Sequence, residues 1–234
     1  MTNQVLWAWG QNNVGQLGNG TTTSSLAPVQ IKNGTKFKVI SAGDNHSLAL
    51  DESGNLWTWG NNGNGQLGNG TTTNSLVPVQ IKNGTKFKAI SAGSGHSLAI
   101  DESGNLWTWG YNGNGQLGNN STTNSLVPIQ IKSGTKFKAI SAGSFHTLAL
   151  DESGNLWTWG YNEYGQLGNN STTDSLVPIQ IKSGTKFKAI SAGNSHSLVI
   201  DENDELWGFG YIESGVTKNN SAVINTPIKV NFNF

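Results

Sequence analysis

Four histidines, His46, His96, His146 and His196, recur at intervals of 50 residues and are all the histidines in the chain. Imidazoles at a fixed spacing invite a metal-site reading. Zinc needs nitrogens about 2.0 to 2.1 Å from the ion, however, whereas equivalent atoms on neighbouring packed sheets are about 10 Å apart. No metal site is therefore expected, and each histidine is read as opening a strand and bonding nearby backbone. Ser97 and Ser197 directly follow histidines, but neighbours on a strand point to opposite faces, so no nucleophile and base meet there. The adjacent carboxylates Asp51-Glu52, Asp101-Glu102 and Asp151-Glu152 lack the shared cleft of an acid–base pair and read as solvated turns. Gly63-Asn-Gly-Gln-Leu-Gly68 has the letters of a dinucleotide fingerprint without the helix that must follow it, so its glycines read as turn residues. The chain is thus expected to hold no catalytic residue and no cofactor.

The elements that carry these residues are set by an internal repeat. Leu-Trp-Thr-Trp-Gly occurs at Leu56 to Gly60, Leu106 to Gly110 and Leu156 to Gly160, with variants at Leu6 to Gly10 and Leu206 to Gly210. Within one unit, Leu56 to Gly60, Val77 to Lys82, Phe87 to Ala92 and His96 to Asp101 read as four short strands, separated by glycine-bearing turns such as Asn83-Gly84. No stretch keeps a 3.6-residue apolar period, so no helix is expected. Four antiparallel strands repeated every 40 to 50 residues predict the blades of a β-propeller. Trp57 and Trp59, two apart, project to one face and fill the wedge between blades.

Composition agrees with short strands and many turns: of 234 residues 31 are glycine and 9 tryptophan, and only 12% are charged. The 14 cations balance the 14 anions and all are lysines. Lacking the guanidinium fork that reads phosphate and guanine, the chain is not expected to bind nucleic acid. There is no cysteine, hence no disulfide framework or thiolate site. Met1 to Gly10 shows no basic region followed by an apolar run, and no window reaches transmembrane length. The chain is expected to be soluble, without an export signal and without a membrane partner; its compartment is not legible.

The runs Ile40 to Leu50, Ile90 to Ile100, Ile140 to Leu150 and Ile190 to Ile200, together with Trp-Gly-x-Asn-x-x-Gly-Gln-Leu-Gly, resemble the signature of the regulator of chromosome condensation repeat. The resemblance covers residues 1 to about 210 and implies a β-propeller, usually of seven blades. This chain has fewer units: five pairs of Trp and Pro strands, but four pairs of Phe and His strands. About five blades are expected, four complete and one split or incomplete, in a single repeat domain over 1–234. Residues 202–234 form a degenerate capping unit, since Gly-Gln-Leu-Gly is lost there. One chain closes by itself, or two share the incomplete blade as a homodimer. The founding members of the family exchange guanine nucleotides on chromatin, an activity the resemblance ties to an inserted wedge for which no repeat here has room.

Differences among the copies point to one end of the blades. Residues 56–105 and 106–155 differ at eight positions. The variable positions read Asn45, Gly95, Phe145, Ser195; Gln11, Asn61, Tyr111, Tyr161; and Val14, Asn64, Asn114, Tyr164. They fall in the loop between the Phe and His strands and in the loop after the Trp strand, which an up-and-down meander places at the same end. The other end repeats lysines and carboxylates almost unchanged. The varied end is the expected binding face, with Phe145, Tyr161, Glu163, Tyr164 and Tyr111 as candidate partner-binding residues. The expected function is a non-catalytic scaffold for a protein partner, with a glycan-binding, lectin-like propeller or a nucleotide exchange factor as alternatives.

Overall fold

A computed structural model describes residues 5–31, 34–81, 84–211 and 223–230. All regular structure among them is β, in five antiparallel sheets. β1 (Trp7–Gly10) and β2 (Ser25–Gln30) form a two-stranded sheet. β3 (Phe37–Ala42), β4 (His46–Asp51), β5 (Leu56–Gly60) and β6 (Ser75–Ile81) follow as a four-stranded meander. The same order repeats as β7 (Phe87–Ala92), β8 (His96–Asp101), β9 (Leu106–Gly110) and β10 (Ser125–Ile131). It repeats again as β11 (Phe137–Ala142), β12 (His146–Asp151), β13 (Leu156–Gly160) and β14 (Ser175–Ile181). The last sheet is β15 (Phe187–Ala192), β16 (His196–Asp201), β17 (Leu206–Tyr211) and β18 (Val223–Lys229).

Three of the four expected strands are found to the residue, the Pro strand begins two residues earlier than expected, at Ser75, and about five blade-like units result. Lys82 and Asn83, expected in the second strand and its turn, lie outside the described residues, as do 212–222 and 231–234 of the expected capping unit. What is described of that unit supplies β17 and β18 of a complete sheet, so the two-stranded sheet stands at the start of the chain. The chain divides into two compact units, Met1–Tyr111 with Asn124–Gln130, and Asn112–Thr123 with the rest from Ile131.

Each unit has its own core, made between successive sheets. In the first, Leu48, Leu50, Leu56 and Ile81 meet Phe87, Ala99 and Trp109, with half-buried Trp107 beside them. In the second, Leu150, Leu156 and Ile181 meet Phe187, Val199, Phe209 and Ile224. Period-2 alternation explains both clusters: in β9 Trp107 and Trp109 leave from the same face and fill the wedge as expected. Each fully buried ring or leucine contributes about 2 to 3 kcal/mol, so these wedges dominate sheet-to-sheet adhesion. On the two-stranded sheet the equivalent face is open: Trp9 is 61% exposed where Trp59 is 3%.

The Trp strand ends on a bulge at Ala8/Gly10, Thr58/Gly60, Thr158/Gly160 and Gly208/Gly210. Register shifts between Thr58 and Gly60, and Gly60 has φ +101°. A Cβ there would come within 2.6 Å of the Asn45 carbonyl oxygen, so both backbone angle and space require glycine.

Candidate functional site

The bulge turns the chain into a long loop whose order depends on a buried asparagine. Asn62, fully buried, donates from Nδ2 to Asn69 Oδ1 (3.1 Å), Thr71 O (2.9 Å) and Thr73 O (3.0 Å), while its Oδ1 accepts from the Leu67 amide at 3.0 Å. Asn162 repeats the pattern with Asn169, Ser171, Thr173 and Leu167. An amide alone offers donors and an acceptor in one planar group, which is why the Trp-Gly-x-Asn motif carries Asn.

The same loop touches the next sheet through a backbone carbonyl. Gln66 O accepts from Trp109 Nε1 (2.9 Å) and from Ser97 Oγ (2.8 Å), and Ser97 Oγ is in turn 2.8 Å from His46 Nε2. His146, Ser197 and Gln166 O repeat this in the second unit, at 2.9 and 2.8 Å. His46 and His146 therefore bond a serine of the following sheet, which corrects for them the expectation of nearby backbone. A serine and a histidine do meet, across sheets and not along a strand. They cannot act as nucleophile and base. The only Ser97 proton goes to a carbonyl, so Nε2 must carry the proton it shares with Ser97 Oγ, and both residues are fully buried. Burial pushes His46 down to about 4, against a smaller upward pull from Asp44, and pushes His146 down to about 3, helped by His196.

The carboxylate pairs also need correction. Asp51 is only 8% exposed and does not lie in a solvated turn. Its Oδ2 accepts from Trp57 Nε1 (3.0 Å) and Asn55 Nδ2 (2.7 Å), its Oδ1 from the Ser53 and Asn55 amides at 2.9 Å. Burial raises its pKa, but these donors outweigh burial and the net shift is downward, as it is for Asp101, Asp151 and Asp201. Asp51 thus ties the turn to the first tryptophan of the next strand. The glycines of the Gly-x-Gly-x-x-Gly run are turn residues, with Gly65 N bonded to Asn62 O and Gly68 N to Gly65 O at 2.9 Å.

The two variable loops do emerge together in each sheet. The Tyr161 amide donates to Phe145 O at 2.9 Å, the Tyr111 amide to Gly95 O at 2.8 Å, and the Asn61 amide to Asn45 O at 2.8 Å. In the second unit Phe145 and Tyr161 meet edge to face at 6.4 Å, Tyr161 and Tyr164 at 6.2 Å, and Tyr164 and Tyr211 at 5.6 Å. Phe145, Tyr164 and Tyr211 are exposed, and the Tyr161 hydroxyl donates to exposed Glu163. That bond, then burial, then the charges of Glu163, Tyr164 and Asp174 push the Tyr161 phenol up to about 12.

Phe145, Tyr161 and Tyr164 belong to a single sheet, not to neighbouring repeats; Tyr211 of the following sheet extends the series. Sequence reasoning missed Tyr211, although it stands at the same repeat position as Tyr111 and Tyr161. Tyr111 belongs to the first unit, where its Cβ lies 3.2 Å from the place a Gly95 side chain would occupy, with Asn64 alongside. Among the described residues no three His, Asp or Glu side chains converge as metal ligands, and no helix is long and apolar enough to cross a membrane.

Comparison with known proteins adds to this geometry. The family profile for the RCC1-like domain matches residues 1–233. Human protein RCC2 is 44% identical over 57 residues, which are 24% of this chain and 11% of RCC2. The ultraviolet-B receptor UVR8 of Arabidopsis thaliana is 43% identical over 51 residues, 21% of this chain and 12% of the receptor. Among solved structures, human WBSCR16 superposes with a TM-score of 0.85 at 22% identity, covering 99% of this chain and 63% of that one. Prp20p of Saccharomyces cerevisiae superposes with a TM-score of 0.85 at 24% identity, covering 100% and 61%. The chain therefore spans about three fifths of these structures, and its matches to the curated relatives cover little more than a tenth of their length. At such identities the structural likeness establishes the fold, a set of propeller blades.

Proposed function

Because the chain belongs to the RCC1-like domain family, we propose that it is a non-catalytic interaction module, one repeat domain whose variable loops receive a protein partner. The observation that carries this reading is the series Phe145, Tyr161, Tyr164 and Tyr211, successive rings 5.6 to 6.4 Å apart on loops of a framework otherwise copied from repeat to repeat. Aromatic side chains concentrate interface energy, and with no arginine in the chain they are its available anchors. Prp20p is described with Kap60 bound and for its binding to Gsp1p and histones. Those partners belong to Prp20p, and they support a protein partner here only as a class. Proteins retained by the wild-type chain should be lost when Phe145, Tyr161 and Tyr164 become Ser, and kept when Lys86, Lys88 and Lys138 become Glu. The reverse pattern would place the partner at the lysine end and sink the reading. Release of labelled nucleotide from a small GTPase tests the exchange-factor alternative, and no acceleration is expected.

A second reading concerns the two-stranded sheet. Exposed Trp7 and Trp9 line a cleft of about 360 Å³ with Ile40 and Leu48, which supports a second copy of the chain covering that face. Sedimentation of the wild type against Trp7→Ser, Trp9→Ser decides it: a wild-type monomer at micromolar concentration removes this reading and leaves the first untouched.

A further inference from the structure

The aromatic series lies in a strongly one-sided electrostatic setting. The chain is neutral overall, with 14 lysines and 14 carboxylates. In the second unit the described lysines are Lys132, Lys136, Lys138, Lys182, Lys186, Lys188 and Lys229, at the starts of the Phe strands, the ends of the Pro strands, or the segments joining them. None falls in the loop segments 143–145, 161–174 or 193–195, whose charges are Glu163 and Asp174. A six-residue strand such as β11 separates the two ends by about 20 Å, more than twice the Debye length of about 8 Å at physiological salt. The described lysines therefore do not neutralise Glu163 and Asp174.

Asp174 strengthens the point. Its Oδ1 accepts from the Asn162 amide at 2.8 Å. In the first unit Asn74 Oδ1 and Ser24 Oγ accept the equivalent amides at 2.8 and 3.1 Å, so a neutral side chain suffices for that bond. The second unit has a carboxylate instead, and its Oδ2 accepts from Asn114 Nδ2 at 3.1 Å. The framework does not require this charge, and it is added on the sheet that also gains Phe145, Tyr164 and Glu163. At the other end, the chain's own lysines lie over tryptophan rings, Lys132 over Trp157 at 3.8 Å and Lys182 over Trp207 at 4.2 Å. Cations thus already sit on rings in this fold where lysines are present, and the described loop segments 143–145 and 161–174 combine rings with anions and hold no lysine.

We propose that Phe145, Tyr161, Tyr164 and Tyr211, with Glu163 and Asp174, receive a cationic peptide segment whose lysine or arginine side chains lie against the rings and pair with the carboxylates. This rests on the reading that the variable loops take a protein partner. Ring quadrupoles and a carboxylate both attract a cation, and guanidinium adds stacking on the ring faces.

The test is fluorescence anisotropy on the full chain with labelled eight-residue peptides, in which arginine, lysine or glutamate alternates with serine. Arginine and lysine peptides should bind at low salt and weaken at high salt, and the glutamate peptide should not bind. Glu163→Gln, which keeps the shape of an exposed side chain, and Tyr164→Ser should each weaken binding about tenfold, the scale of a cation–π contact. Lys138→Glu, at the other end, should leave affinity within about twofold, and matching thermal midpoints would show the variants folded. Equal binding to all variants, or none by the cationic peptides, overturns the proposal. Displacement of the arginine peptide by a neutral oligosaccharide such as chitohexaose also overturns it, in favour of a glycan. If a protein partner is lost from the aromatic variant while the cationic peptides never bind, the interaction surface stands and the cationic assignment falls.

Discussion

His46 Nε2 lies 2.8 Å from Ser97 Oγ of the following sheet, a contact between residues 51 apart in sequence that is repeated by His146 and Ser197 at 2.9 Å. Both histidines are fully buried, and Nδ1 of each has no hydrogen-bond partner. A neutral ring fits this site and a charged one does not.

Acid should therefore weaken the protein well before its carboxylates titrate. The folded pKa values, about 4 for His46 and about 3 for His146, lie below an unfolded value near 6.5. Between these limits the unfolded state binds more protons, so stability is complete above pH about 6.5 and is lost as pH falls toward 4 for His46 and toward 3 for His146. The full effect is roughly 3 kcal/mol for His46 and roughly 5 kcal/mol for His146. Urea midpoints measured from pH 7.5 to 4.5 should fall steadily, and a flat profile would contradict the neutral buried rings. The depressed aspartates work in the same direction at lower pH, since their contribution fades only as pH falls below an unfolded value of about 4.

Ser97→Ala should cost about 1 to 3 kcal/mol in urea unfolding, because it leaves the buried His46 Nε2–H without an acceptor. Ser97→Thr should be close to neutral. The equivalent position already holds Thr147, whose Oγ1 donates to Gln116 O at 2.9 Å.

Asn162→Asp removes the donors that hold Asn169, Ser171 and Thr173 and sets a carboxylate against two carbonyls. A loss of about 2 kcal/mol or more is expected in thermal unfolding. Partner binding should drop with it, since Asn162 braces the loop that presents Tyr161 and Tyr164.

The phenol of Tyr161 should ionise near 12. In Glu163→Gln the hydrogen bond to a charged acceptor is gone, and its transition should move down toward 10. Absorbance of tyrosinate at alkaline pH reads this directly, and an unchanged curve would break the assigned Tyr161–Glu163 bond.

Much of this was legible from the residues alone. Period-2 alternation, the glycine turns and the 50-residue repeat determined the strands Leu56–Gly60, Phe87–Ala92 and His96–Asp101 to the residue. The alternating ends of a meander brought Phe145 and Tyr161 to one end, because both rules act within a few neighbours along the chain. Tertiary structure decided what lies between sheets. Trp109 Nε1 and Ser97 Oγ converge on Gln66 O, 43 and 31 residues away, and Tyr164 meets Tyr211, 47 positions on, across two sheets. Such partners depend on how one sheet leans on the next, and copies this alike offer no sequence difference from which that lean can be read.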